Sequence, residues 1–387
     1  MTSIDEARLV FRADTALGTT ADESAWDELP SLSKVGRLFS SPEWSRMVTK
    51  SDGEAPTYFR LYDGDRLVAG VTGDVMPPGI PPQYDVEGML RGNFIKTDLP
   101  TWEPPAPMMP CLTVVTRAGR AADFRISPAF ERADRVRLLR ALIRHIEQYG
   151  ETEGAVSTAL LFTPHEASEL VEAVSDRYVG ASVSKSFYLD VDFGSLEEYF
   201  EQFDSKRRRV YRAERRKVTD TPGVELRVLP LADRMDEAAR LGALNFAKYG
   251  QVDLADVAAI RSRNELIVDV LGTDARVMEL LVDGELVASL QFNLHQRVYY
   301  ARLVGILDSA PKPLAAYFNM VFYGLIDNAL AEGVERIVYA QELASAKLSR
   351  GCRFETQDLW IRTDDPLVAE RVKALHSAVD QFTSITG

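Results

Sequence analysis

Cysteine and histidine are scarce: Cys111, Cys352 and four isolated histidines are spread over 387 residues. With neither C-x-x-C nor H-x-x-x-H spacing present, nothing supports a disulfide framework or a structural zinc site. Long apolar runs are also missing, and no stretch approaches the roughly 20 residues that a membrane-spanning helix needs. The N-terminal MTSIDEARLVFRADTA has neither a basic n-region nor an apolar h-region, so the expectation is a cytoplasmic protein. Cations are in the minority, with 45 Lys and Arg against 58 Asp and Glu for a net charge of -13. Such a balance argues against broad coating of nucleic acid, which requires a basic surface to displace counterions. It leaves room for one basic groove. What is present, 46% hydrophobic and 27% charged residues, is a globular composition long enough for two core-bearing domains.

One stretch breaks the acidic trend. In residues 196 to 219, LEEYFEQFDSKRRRVYRAERRKVT, eight basic residues and one acid lie between Lys206 and Lys217. Placed on a helix at about 100° per residue, Leu196, Phe200, Phe203, Val210, Tyr211 and Val218 form an apolar side. Arg208, Arg209, Arg212, Arg215 and Arg216 fill the opposite arc, while Arg207 and Glu214 project from the apolar face as an ion-pairing device or part of a site. A charge run can be simply a solvated helix face. This ridge, however, is almost free of the i,i+4 acids that neutralise such faces, and arginine suits bidentate phosphate binding.

The flanking chain reads as alternating α and β elements. FSSPEWSRMVT, residues 39 to 49, predicts a short helix with Ser40 or Ser41 as N-cap and Pro42 in its first turn. In YFRLYDGDRLVAGV, residues 58 to 71, Asp63-Gly64 predicts a hairpin turn. Residues 76 to 110 hold nine of the nineteen prolines and predict an irregular excursion, packed as a lid by Tyr84, Phe94 and Trp102. A strand at 111 to 116, a helix at 132 to 149, a strand at 155 to 162, a helix at 164 to 176 and a strand at 184 to 191 follow. Beyond the basic stretch come a strand at 224 to 229, helices at 231 to 249 and 253 to 271, and the hairpin MELLVDGELVASL, residues 278 to 290. That hairpin repeats the first, and each copy is followed by a long helix and a short apolar strand, 132 to 149 then 155 to 162 and 313 to 332 then 336 to 340. Two copies of one α/β domain are expected.

FSSPEWSRMV, SLEEYFEQFDSKRRRVYRAERRKV and ASAKLSRGCRF (344 to 354) resemble the motifs of FemAB-like tandem-GNAT proteins, the group of peptidoglycan-bridge aminoacyltransferase relatives. Against that group's E-H-K-L-x-R-G-F pattern, Lys347, Leu348, Arg350 and Gly351 match, whereas Ser345, Ala346 and Cys352 depart. The resemblance implies an α/β fold of the α+β type, two tandem GNAT-like domains, each a mixed, mostly antiparallel sheet flanked by helices. The expected division is 1 to 183, a linking strand and basic helix at 184 to 219, and 220 to 387. It also implies a GNAT-fold acyltransferase that forms an amide bond.

GNAT enzymes usually cradle acyl-CoA in a Gly-rich loop. The corresponding GILDSAPKPLAAYF, 305 to 318, has one glycine and two prolines that remove donors. The FemAB-like resemblance then implies aminoacyl-tRNA as the preferred donor, with acyl-CoA the alternative co-substrate; no further cofactor or metal is implied. The donor phosphates would be gripped by Lys206, Arg207, Arg208, Arg209, Arg212, Arg215 and Arg216, with Lys312 at the next helix start. The acceptor is an amine of a small molecule or a cell-wall-type precursor. In VASLQFNLHQRVYYARLVG, a Gln296-Arg297 turn sets Asn293 opposite Tyr300 and Gln291 opposite Arg302, a polar cluster that is a substrate surface or simply a solvated sheet face. Neither turn residue tolerates positive φ easily, so a longer loop and a shifted register stay open. His295 as base, Tyr300 as acid or oxyanion donor, Asn293 beside it, and Glu342 as the alternative base form the catalytic set, although a lone histidine is also commonly structural. Gln341, Lys347 and Arg350 follow as substrate contacts. A silent GNAT-like module that docks RNA or a phosphorylated metabolite is the non-enzymatic alternative.

Overall fold

The computed structural model describes residues 6–93, 99–248, 250–339 and 343–385. The chain divides into two compact units, Met1–Ser186 with Phe354–Gly387, and Phe187–Arg353.

The first unit opens with β1 (Leu9–Asp14), α1 (Thr20–Glu28) and α2 (Pro42–Asp52). Ser41 caps α2 by accepting from the Trp44 N–H, and Pro42 sits at its first position, because proline's missing N–H is an orphan there anyway. β2 (Thr57–Asp63) and β3 (Arg66–Met76) form the first hairpin. Asp63 pairs with Arg66, so the turn residues are Gly64-Asp65, one position beyond the expected pair, and Gly64 supplies the positive φ of 62°. The proline-rich excursion contains α3 (Val86–Arg91). Tyr84, Val86, Met89, Leu90, Met108 and Met109 bury themselves there in one apolar cluster, with Trp102 packed against it. Phe94 lies outside the described residues. Then come β4 (Cys111–Val114), β5 (Arg125–Ile126), α4 (Arg132–Thr152), β6 (Ser157–Pro164), α5 (His165–Glu172) and β7 (Tyr178–Asp190). β4 pairs parallel with β6, and Leu138, Leu139, Leu142, Ile143 and Ile146 of α4 fill the core against β2 and β3.

The second unit repeats the plan. It holds α6 (Leu196–Glu201), α7 (Ser205–Thr219), β8 (Val224–Pro230), α8 (Met235–Lys248), α9 (Val257–Leu271) and β9 (Ala275–Val282). β10 (Glu285–His295) and β11 (Val298–Ile306) follow. A helix then starts as α10 (Ala316–Phe318), passes through a π-helical segment at Asn319–Gly324, and ends as α11 (Leu325–Glu332). β12 (Arg336–Tyr339) and α12 (Ala344–Ser349) complete it. β9 and β10 make the repeated hairpin, Val282 pairing with Glu285. β11 runs parallel to β12, as β4 does to β6. One sheet face, through Met278, Leu280, Leu290, Phe292 and Tyr299, packs on Met320, Phe322, Leu325 and Ile326.

β13 (Arg353–Arg362) and α13 (Pro366–Ile385) end the chain. The expected division assigned residues 220 to 387 to the second domain, whereas Phe354–Gly387 is part of the first unit, where β13 pairs antiparallel with β6. Alternating burial along β13 marks it as a strand but does not say which sheet it joins. The expected linker is likewise absorbed, residues 184 to 186 into the first unit and the rest into the second. Among the described residues no helix is long and apolar enough to cross a membrane.

Candidate functional site

The basic stretch is two helices rather than one. The first ends at Glu201 with Gln202 as its C-cap; Asp204 caps the second, accepting from the Lys206 and Arg207 N–H groups, and this break rotates the expected wheel. Tyr211 and Val218 are the buried anchors, whereas Val210 is exposed. Three of the eight cations are committed: Arg207 lies 3.5 Å from Asp204, Arg212 is ion-paired with Glu197, and Arg215 lies 2.6 Å from Asp327. Among the described residues, Lys206, Arg208, Arg209, Arg216 and Lys217 have no carboxylate within 4.0 Å. Of these five, Arg208 is half-buried and the other four are exposed. At 100° per residue and 1.5 Å rise, Lys206, Arg209, Arg216 and Lys217 share an arc of about 100° and run about 16 Å along the helix.

Glu214 is half-buried and ion-paired, but its partner is not Arg207. Arg350 Nη2 donates to it at 2.9 Å and the Tyr323 hydroxyl donates at 2.5 Å. Arg350, expected to meet substrate, instead lies over the Phe318 ring with its Cζ 3.5 Å from the centroid. Lys347 is likewise only 3% exposed, its Nζ 5.1 Å from the Phe187 ring centre, and is not surface charge. Gln341 and Glu342 fall outside the described residues.

The β10–β11 hairpin turns through Gln296 and Arg297, at φ 47° and 63°, the positive pair that a two-residue turn of this kind needs. Asn293 stands opposite Tyr300 as expected, but Gln291 meets Leu303 because a register shift falls between Gln291 and Phe292, which leaves Arg302 as the extra residue. Such a bulge takes backbone groups out of the ladder and bends the strand. Beyond Tyr300, β12 no longer pairs with β11, so among the described residues Ala301–Ile306 has a strand neighbour on the β10 side alone.

α8 covers the polar sheet face, since Gln291 Nε2 donates to the Ala238 carbonyl at 3.1 Å. It is not a solvated surface. Asn293 is 1% exposed and among the described residues neither its Oδ1 nor its Nδ2 has a hydrogen-bond partner, an unmet polar group that costs about 1–3 kcal/mol. His295 is half-buried, one pair from the turn. Burial, then the neighbouring Arg263 charge, pushes the Arg302 guanidinium down to about 9.

At the other end of β11, about 13 Å from Arg302 at 3.3 Å per residue, lies a cavity of about 230 Å³. Lys248, Asp308, Lys312, Ala315, Tyr317 and Phe318 are among its lining residues. The helix that opens here has Ala315 as N-cap, at φ 48° and with no side-chain cap hydrogen bond; such a terminus carries partial positive charge. Lys312 is exposed at this helix start, while Lys248 is paired with Asp308 at 3.0 Å. Lys248 was not legible as a site residue, since it ends a helix 64 residues upstream in an unremarkable A-K-Y-G. No group of three metal-ligating side chains occurs among the described residues.

A hairpin, a parallel strand pair that opens beyond its first few residues, and a helix start beside the far end of β11 are the geometry of one fold class. Residues 205–341 match the family described as acetyltransferase (GNAT) domain. Over those residues the chain carries a GNAT-type domain. Among solved structures it is similar to FemX, with TM-score 0.57 and 10% identity over 89% of this chain and 96% of that one. L-PGS from Bacillus licheniformis gives 0.52 at 13% identity, over 93% and 98%. A conserved protein of unknown function from Bacteroides thetaiotaomicron VPI-5482 gives 0.51 at 13%, over 91% and 99%. At such identities the likeness is one of fold. No curated protein matches the chain in sequence.

Proposed function

We propose that this transferase moves an aminoacyl group from aminoacyl-tRNA onto an amine of a small-molecule or cell-wall-type acceptor. The observation that carries the reading is the row of four exposed, uncommitted cations on α7 in a chain of net charge -13. A linear row about 16 Å long suits successive phosphates of a polyanion better than one small ligand. The helix start at Lys312 then takes a phosphate near the reacting ester.

In this reading the acceptor amine attacks the ester carbonyl, the amide C–N bond forms, and the ribose oxygen leaves with a proton. The Arg302 bulge lies where the carbonyl would sit, and Asn293 and Tyr300 beside it supply hydrogen-bond donors for the oxyanion. His295 takes the amine proton. Gln291 and Arg302 line the acceptor side.

A second reading, transfer from acyl-CoA, draws on the unpaired β11 edge from Ala301 to Ile306, along which an amide-bearing arm could pair like an added strand. Against it, Pro311 and Pro313 remove N–H donors that a Gly-rich pyrophosphate loop would supply. The purified protein supplied with a charged-tRNA pool or an acyl-CoA mixture, plus candidate amines, is followed by mass spectrometry. Product that requires charged tRNA and vanishes with RNase is the expected result. RNase-resistant product formed from acyl-CoA alone overturns the tRNA reading.

A further inference from the structure

Arg350 is 6% exposed and far from an ordinary surface cation. It is held on four sides: Glu214 accepts from Nη2 at 2.9 and 3.2 Å, Ser349 Oγ accepts from Nη1 at 2.9 Å, and the Phe318 and Tyr211 rings lie 3.5 and 4.6 Å from its Cζ. Phe318 lines the Lys312 cavity. Glu214 reaches the same helix twice more. Its carboxylate accepts from Tyr323, and its backbone carbonyl accepts from Asn319 Nδ2 at 2.9 Å. That one amide also donates to the Leu314 carbonyl at 2.9 Å, next to the left-handed Ala315 that starts the helix. Basic helix, cradle loop and the 344–351 turn are therefore joined at a single buried ion pair.

We infer that Arg350 is a positioning residue for the anion cradle: through Phe318, and with Glu214 as its anchor, it sets the helix start that lines the cavity. The inference rests on the reading that this cavity holds a donor phosphate. Lysine cannot substitute, because a point charge neither lies flat on a phenyl face nor reaches both oxygens of a carboxylate in a fixed plane. A buried pair broken on one side also leaves its partner uncompensated.

The test is a double-mutant cycle on the full chain with inorganic pyrophosphate as probe, read by calorimetry together with the melting temperature. Lys312→Ala is expected to weaken binding about tenfold with an unchanged melting temperature, and Arg350→Lys or Glu214→Gln to weaken it at least fivefold. Combining Arg350→Lys with Lys312→Ala is expected to leave Kd within twofold of Lys312→Ala alone, since neighbours acting through one element are non-additive. Wild-type protein that fails to bind pyrophosphate overturns the cradle reading and the inference with it. Wild-type binding with unchanged Kd in the Arg350 and Glu214 variants, or additive losses in the cycle, overturns the inference alone and leaves the cradle standing.

Discussion

If α7 grips a polyanion, its contribution is a count of released counterions, and the structure supplies the count. Lys206, Arg209, Arg216 and Lys217 are exposed and without carboxylate partners, while Arg212 and Arg215 are already neutralised by Glu197 and Asp327. Each phosphate contact contributes a slope of about -0.7 to -0.9 in log K against log salt, so four give about -3 to -3.6. Raising salt fourfold, from about 50 to 200 mM, then lowers affinity for tRNA roughly 50- to 150-fold. Replacing all four cations by glutamine should remove that slope, and Arg209→Gln alone should remove about a quarter of it. The paired variants Arg212→Gln and Arg215→Gln serve as controls, because their charges are largely spent within the fold. Filter binding or fluorescence anisotropy at five or six salt concentrations measures it. An undiminished slope in the fourfold variant, or equal flattening by the two controls, would refute the assignment of this face.

Two further outcomes concern stability. Glu355 is buried, accepting from Ser33 Oγ and the Lys34 N–H, and burial pushes its carboxyl up to about 7. A folded pKa above the unfolded one means stability fully present below about pH 4 and lost as pH rises through 7, on the order of 3 kcal/mol for this group. Denaturant melts should therefore show Glu355→Gln costing more at pH 5 than at pH 8; a cost independent of pH contradicts the sign. Tyr339 is buried and, among the described residues, its hydroxyl has no hydrogen-bond partner, so Tyr339→Phe should stabilise by about 1 kcal/mol, and a loss of similar size would show that the hydroxyl is satisfied.

Much of the fold was legible because it rests on local signals. The Asp-Gly turns, the Ser41 cap, the apolar stripe of α4 and the repeat of hairpin, helix and strand each declare themselves within about a dozen residues. The site was half legible. Parity and a two-residue turn were enough to set Asn293 against Tyr300, even though Gln296 and Arg297 adopt positive φ without glycine. A bulge leaves no mark in such alternation, so Arg302 was placed one residue out. The break at Asp204 was visible in principle, since Asp before Ser-Lys-Arg is an N-cap signal, but the continuous charge run hid it. Arg350 and Glu214 lie 136 residues apart, and no periodicity links residues at that distance. The oddity of Glu214 on an apolar face was real; its partner could only come from the fold.

The return of residues 354 to 387 to the first unit bears on how the protein is made. Chains emerge from the ribosome N-terminus first, and domains fold as they become complete. Here the second unit, Phe187–Arg353, is finished earlier than the first, which must wait with the β13 edge of β6 unfilled until β13 itself has been synthesised. An open strand edge is an invitation to mispair. The order of completion runs opposite to the order of the sequence, and a stop placed after Arg353 would leave the later unit whole and the earlier one unfinished.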